Sequence, residues 1–144
     1  MGHDSLRNIE KEIALLVRLT TAYSPRFGSL DRSEYLLLSE LDKQSPLAIN
    51  SLAETLMLNL STASRQVSAL ERKKLIRRFP DPNNGRISLV EMTSEGIDAL
   101  KKVQKARYHV YTDTEVLQDW TEEELNTLET HLIRLNQDFK KWSK

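Results

Sequence analysis

Near the C-terminus, Leu125, Leu128, Leu132, Leu135, Phe139 and Trp142 recur at steps of 3, 4, 3, 4 and 3. That spacing lays all six on one stripe of an α-helix, the a/d seam of a coiled coil, for two and a half heptads. Thr121 stands before the stripe as an N-cap, and Glu124 three residues on completes a capping box. A helix of this kind draws most of its stability from covering its apolar face, so it needs another striped helix. The sequence offers two. Leu6, Ile9, Ile13, Leu16, Val17 and Thr20 form a stripe on a helix predicted from Leu6 to about Tyr23 and ended by Ser24-Pro25. Ile97, Leu100, Val103, Arg107 and Tyr111 mark a long helix that opens at Thr93 or Ser94. The β-prone, polar stretch from Tyr111 to Val116 leaves its far limit open. The terminal seam either packs within the chain or interlocks with a second copy. Three striped helices from the two ends of one chain favour the second copy. A homodimer is therefore expected, with Ile9, Ile13, Leu125, Leu128, Leu132, Leu135 and Phe139 in its interface.

Composition agrees with a mostly helical protein. Four Gly and four Pro stand against 23 Leu in 144 residues, a length that suits one domain with oligomerisation helices. The absence of cysteine excludes disulfides, thiolate zinc sites, iron–sulfur clusters and cysteine redox sensing. The longest apolar runs, such as Ile13 to Val17, are too short to span a bilayer. No basic stretch followed by an apolar one opens the chain, so a soluble cytoplasmic protein without membrane partners is expected.

Catalytic chemistry finds little support. His3, His109 and His131 are scattered, with no pair on one helical turn, so no metal is expected. Ser64 has no nearby histidine, and four glycines build no phosphate loop. The acids from Glu122 to Glu124 suit the positive end of the last helix. Neither an enzyme nor a cofactor is expected.

Charge is balanced overall, 21 basic against 21 acidic residues, but not along the chain. From Asn59 to Glu91 the net charge is +4, and from Thr112 to Asp138 it is −7. A basic middle and an acidic end suggest that one region faces a polyanion and the other faces away, unless both are simply solvated surfaces.

The middle reads as three helices and a hairpin. A helix opens at Asp31 with Glu34 as its capping partner, carries Tyr35, Leu37, Leu38 and Leu41, and stops before Ser45-Pro46. A short helix follows Asn50, with Leu52, Ala53 and Leu56 facing inward. Asn59 caps the next, from Leu60 to about Lys74, which buries Ala63, Val67 and Leu70. The tight join around Met57 to Asn59 makes the pair a helix-turn-helix. Beyond Leu75 the period changes to alternation. Two antiparallel strands are predicted around a loop from Asp81 to Gly85, as the one confident sheet. The second helix of such a unit presents its N-terminal residues to the major groove. Ser61, Thr62, Ser64, Arg65 and Gln66 offer hydroxyls, a guanidinium and an amide there, unless they are merely solvated. Arg72, Lys73, Lys74 and Arg77 follow, where a duplex backbone would run.

The run from Leu52 to Gly96 resembles the core of MarR-type winged-helix transcription regulators. The matching pieces are Leu52-Ala53, Ser61-Thr62, Ser64-Arg65, Leu70-Glu71, Leu75-Ile76, Arg78, Asp81-Pro82, Arg86, Thr93 and Gly96. The element order matches over nearly the whole chain. The resemblance implies a mostly α fold with a small β-hairpin wing. Residues 1–30 would supply an N-terminal dimerisation helix, 31–93 a winged helix-turn-helix, and 94–144 C-terminal dimerisation helices. It also implies a ligand-responsive repressor that binds a pseudo-palindromic operator in double-stranded DNA. Ser61, Thr62, Ser64, Arg65, Gln66, Arg72, Lys73, Asn84 and Arg86 would be its DNA contacts, with Arg86 in the minor groove. The small-molecule effector is unidentified; Tyr23, Phe27, Tyr35, Tyr108 and Tyr111 either line its pocket or pack as aromatic core. The rival reading is a winged-helix module for protein interaction or dimerisation without DNA specificity. Three positions depart from the family pattern. Asn84 replaces an acidic partner of Arg86, Gly85 replaces a basic residue, and Lys74 replaces the glycine that ends the recognition helix.

Overall fold

The structure, a computed structural model, describes residues 2–22 and 28–143. The described residues form α1 (His3–Ala22), α2 (Arg32–Lys43), β1 (Leu47–Ala48), α3 (Ile49–Thr55), α4 (Leu60–Arg72), β2 (Ile76–Asp81), β3 (Asn84–Met92), α5 (Ser94–Thr112) and α6 (Glu122–Trp142). The expected helix end at Ser24-Pro25, and the aromatic residues Tyr23 and Phe27, lie outside the described residues.

Capping sets most of the boundaries. Asp31 accepts the backbone N–H of Glu34, whose carboxylate accepts that of Asp31, so α2 begins with both halves of a capping box. Thr121 and Glu124 repeat the arrangement on α6. Asn59 caps α4 through the N–H of Thr62. Two starts differ from expectation. Helix α1 opens at His3 rather than Leu6, extending through polar residues that carry no stripe. Helix α3 opens at Ile49 rather than after Asn50, because Ala48 passes straight from a strand into the helix with no side-chain cap.

Helices α3 and α4 both close through a left-handed residue. Met57 has φ 57°, with Leu58 N–H donating to Ala53 O at 2.9 Å and Met57 N–H to Glu54 O at 3.3 Å. Lys74 has φ 65°, with Leu75 N–H on Leu70 O at 3.1 Å and Lys74 N–H on Glu71 O at 2.9 Å. These bonds satisfy carbonyls that the helix itself leaves open. The turn of the helix-turn-helix is thus Met57, Leu58 and Asn59, and α4 ends at Arg72, short of Lys74.

The sheet is larger than the hairpin alone. Its order is β1-β3-β2, all antiparallel, with Leu47 opposite Val90 and Arg78 opposite Val90 from the other side. A strand of two residues is too short to show a period, so β1 leaves no sequence signature. The hairpin loop is also tighter than expected. Asp81 pairs with Asn84 after a register shift at Pro80, which reduces the turn to Pro82 and Asn83.

The core sits where α2, α3 and α4 meet the sheet and the first half of α5. Leu37, Leu38, Leu41, Leu52, Val67, Leu70, Ile76, Val90, Leu100 and Val103 are essentially sealed from solvent. Thr93 locks the corner between α4 and α5. Its hydroxyl donates to Lys74 O at 2.7 Å and accepts from Gly96 N–H at 3.0 Å, while its own N–H donates to Leu75 O at 3.1 Å. Gly96 is needed there for space, since a Cβ would lie 2.0 Å from Leu75 O. Gly28, at φ +106°, packs on Val103 in the same way, with a 3.0 Å approach for any Cβ.

The outer helices behave differently. Neither α1 nor α6 contains a buried residue. Along the α6 seam Leu132 is 43% exposed, Phe139 51% and Trp142 81%, while Leu128 and Leu135 are half-buried. On α1, Leu6, Ile9, Leu16 and Val17 are all exposed and Ile13 is half-buried. The apolar stripes read from the sequence are present, and the described chain does not cover them.

Candidate nucleic-acid interface

The recognition element is α4. Its buried face, Ala63, Val67 and Leu70, is pinned to the core, which fixes what the opposite face presents. Ser61 and Arg65 are exposed, and Thr62, Ser64 and Gln66 are half-buried. The first turn is already ordered by its own polar groups. Ser61 Oγ donates to Asn59 Oδ1 at 2.8 Å, and Arg65 Nη2 donates to Thr62 Oγ1 at 3.2 Å. Arg65 is thereby held over the helix N-terminus, the end that helix-turn-helix proteins turn toward base edges.

The basic residues after this turn do not form one uniform surface. Arg72 and Lys74 are exposed. Lys73 is also half-exposed, but its ammonium forms an ion pair with Glu34. Glu34 is a buried carboxylate that completes the α2 capping box with one oxygen and binds Lys73 with the other. Lys73 thus ties the end of the recognition helix to the start of α2, a role that its sequence context does not announce. Arg77 pairs with Glu91 across the hairpin and lies 5.1 Å from the Phe79 ring centroid. Both cations are partly spent on the protein itself.

On the wing, Asn84 Oδ1 accepts the backbone N–H of Arg86 at 3.2 Å. Asn84, which stands where the family pattern has an acidic partner of Arg86, thus binds its main chain, not its guanidinium. Asp81 Oδ1 accepts Asn83 N–H at 2.8 Å, shaping the turn rather than anchoring Arg86. The Arg86 side chain is exposed.

Between the recognition helix and the wing lies an open cleft of about 280 Å³. Ser64 and Leu60 line it from α4, Arg78 from β2, Arg86, Ile87 and Ser88 from β3, and Asn50 from α3. Arg78 Nη2 donates to Ser68 Oγ at 3.1 Å and lies 3.6 Å from Glu71 Oε1, bridging strand and helix. Sequence reasoning assigned no role to Arg78, Asn50 or Ser88. Only folding brings these three distant segments together.

Elsewhere, Tyr35 is covered by the Arg107 guanidinium at 3.8 Å from its ring centroid, which gives that aromatic a packing partner. Tyr108 and Tyr111 are exposed. His109 Nδ1 lies 2.5 Å from Asp113 Oδ2, and this hydrogen bond, with a second from Thr112, holds the Asp113 carboxyl below its ordinary range. Among the described residues no group of three His, Cys, Asp or Glu side chains is placed to hold a metal ion. No helix among them is long and apolar enough to cross a membrane.

A helix-turn-helix with an exposed second helix, followed by a twisted hairpin beside it, defines the winged helix-turn-helix class of DNA-binding proteins. Comparisons narrow the class. The family model described as "MarR family" matches residues 30–88. An uncharacterized HTH-type transcriptional regulator of Bacillus subtilis (strain 168), YxaD, is 40% identical over 134 residues, spanning 91% of this chain and 92% of the relative. The crystal structure of the transcriptional regulator SlyA superposes with a TM-score of 0.78 at 25% identity, covering 94% of this chain and 96% of that one. A mutant MarR from E. coli complexed with operator DNA shares the fold with a TM-score of 0.70 at 19% identity, over 89% and 95% of the two chains. The chain belongs to the MarR family of transcriptional regulators.

Proposed function

We propose that this protein binds a pseudo-palindromic operator in double-stranded DNA as a homodimer and represses transcription until a small molecule releases it. Ser61, Thr62, Ser64, Arg65 and Gln66 meet the major groove, Arg86 and Asn84 meet the flanking minor groove, and Arg72 contacts the backbone. Lys73 contributes positive potential, with its ammonium shared with Glu34. The observation that carries the reading is the open cleft lined by Ser64 on the recognition helix and Arg86 on the wing. It separates two reading elements, each able to enter its own groove.

Dimerisation is supported by the uncovered stripes of α1 and α6. Exposed contiguous apolar surface on this scale marks an interface rather than a solvated face. In this reading residues 1–30 and 94–144 form the shared dimer body and 31–93 the DNA-binding module, and the protein works in the cytoplasm. A ligand lodged between the dimer helices and the winged modules changes the separation of the two recognition helices. Ligand and DNA affinities are then coupled, each weakening the other by the same factor. The family resemblance supports this part, and no residue here names the ligand.

Selection of bound duplexes from random sequence tests the proposal. The expected outcome is an inverted repeat whose half-site centres lie about 10–10.5 base pairs apart, or a multiple of that. Recovery of unenriched sequence would contradict it and favour a module that contacts protein instead.

A further inference from the structure

Neighbouring grooves of a duplex are separated by one sugar–phosphate strand. A protein that places a helix in one groove and a wing in the next must therefore straddle that strand. Whatever lies between the two elements meets phosphates, whatever the base sequence. In this chain that place is the 280 Å³ cleft between α4 and the hairpin. Its polar lining residues are Asn50, Ser64, Arg78, Arg86 and Ser88. No carboxylate lines it among the described residues.

Arg78 differs from the other cations nearby. It sits in mid-strand opposite Val90, on backbone fixed by the sheet, rather than on a turn or helix end. Its side chain is 30% exposed, so a ligand can reach it. One nitrogen of its planar fork, Nη2, is held by Ser68 and Glu71 from the recognition helix. Its Nε is buried with no hydrogen-bond partner in the protein. A ligand cannot reach that buried atom, so any anion meets the exposed part of the guanidinium that lines the cleft, where its planar fork matches phosphate oxygens.

We propose that the cleft is a seat for a duplex phosphate, with Arg78 as the fixed cation at its floor and Ser64 and Ser88 as neutral donors at its walls. The inference rests on the DNA-binding reading above and adds a positioning site to it. Arg78 selects no base. It sets where the strand passes between helix and wing, and so the register in which Arg65 and Arg86 meet their grooves.

Equilibrium binding of the full chain to the selected operator and to a scrambled duplex, across a salt series, tests the seat. Arg78→Gln keeps a donor for Ser68 and removes the charge. It should weaken both duplexes by the same factor, about tenfold near physiological salt, and leave their ratio unchanged. The slope of log affinity against log salt should fall by about two, since each half-site loses one phosphate contact worth about 0.9. A second arm leaves the protein intact and replaces single phosphates by neutral methylphosphonates. The parent should lose about tenfold at one phosphate per half-site, where the variant loses nothing further. An unchanged salt slope overturns the seat, and so does a variant as sensitive as its parent at every neutralised phosphate. Those results leave operator preference standing. A parent with no preference between the duplexes sinks the DNA-reading proposal and the seat with it.

Discussion

Arg65 and Arg86 carry the same guanidinium, yet their settings assign them different tasks. Arg65 is steered by Thr62 over the first turn of α4, where a bidentate grip on a base edge is available. Arg65→Ala should cost about 1–3 kcal/mol of binding and relax preference at one base position in each half-site. Arg86 projects from the start of β3, just past the turn shaped by Asp81 and Asn84, on a wing whose target is shape rather than base identity. Arg86→Ala should weaken binding most on operators with A·T pairs in the flanks and leave the central preference intact. Affinity measurements on a panel of single-base duplex variants separate the two patterns. If Arg65→Ala binds every sequence as tightly as the parent at equal salt, α4 is not the reading helix. Both side chains are exposed, so the melting temperatures of both variants should stay close to the parent's.

At the scale of elements, two substitutions involving glycine should act with opposite sign. Lys74 closes α4 at φ 65°, where a Cβ is unfavourable, and its side chain is exposed. Lys74→Gly should therefore stabilise the fold by roughly 0.5–1 kcal/mol, the strain relieved exceeding the entropy glycine adds to the unfolded chain. Gly96→Ala should destabilise it by about 1–3 kcal/mol or more, because the new Cβ meets a backbone carbonyl that Thr93 holds in place. Urea denaturation followed by circular dichroism measures both. The caps and stripes that define α2, α4, α5 and α6 were legible in the sequence, because local hydrogen-bond chemistry writes them into fixed spacings. Strand β1 was not, since two residues carry no period and its pairing with β3 is set from more than 40 residues away. The same holds for Lys73, whose ion pair with Glu34 spans 39 residues, and for Arg78, which meets Ser64 and Arg86 only after the hairpin folds against α4. Local signals place the reading residues on their elements; the contacts that aim those elements come from the tertiary fold.

For the whole molecule, the telling feature is that two long helices carry apolar stripes and bury nothing within the chain. The sequence showed the stripes and favoured a second copy over pairing within one chain, and the described chain leaves those faces uncovered. This makes the seam testable in a sharp way. Leu132 is 43% exposed and Leu128 half-buried in the single chain, so charging them should cost a monomer little. In a dimer the same charges enter a sealed seam without partners, which is costly. Leu128→Glu with Leu132→Glu should therefore yield monomers or unfolded protein in sedimentation experiments and abolish operator binding. A folded variant that keeps a dimer's mass would show that the seam packs elsewhere. The central claim is that one dimer reads two symmetric half-sites, and the most direct test is the mass of the parent protein bound to its selected operator. Sedimentation equilibrium should give two chains per duplex, with a duplex cut to one half-site bound far more weakly. One chain per duplex, with the half-site bound as tightly as the whole, would contradict it.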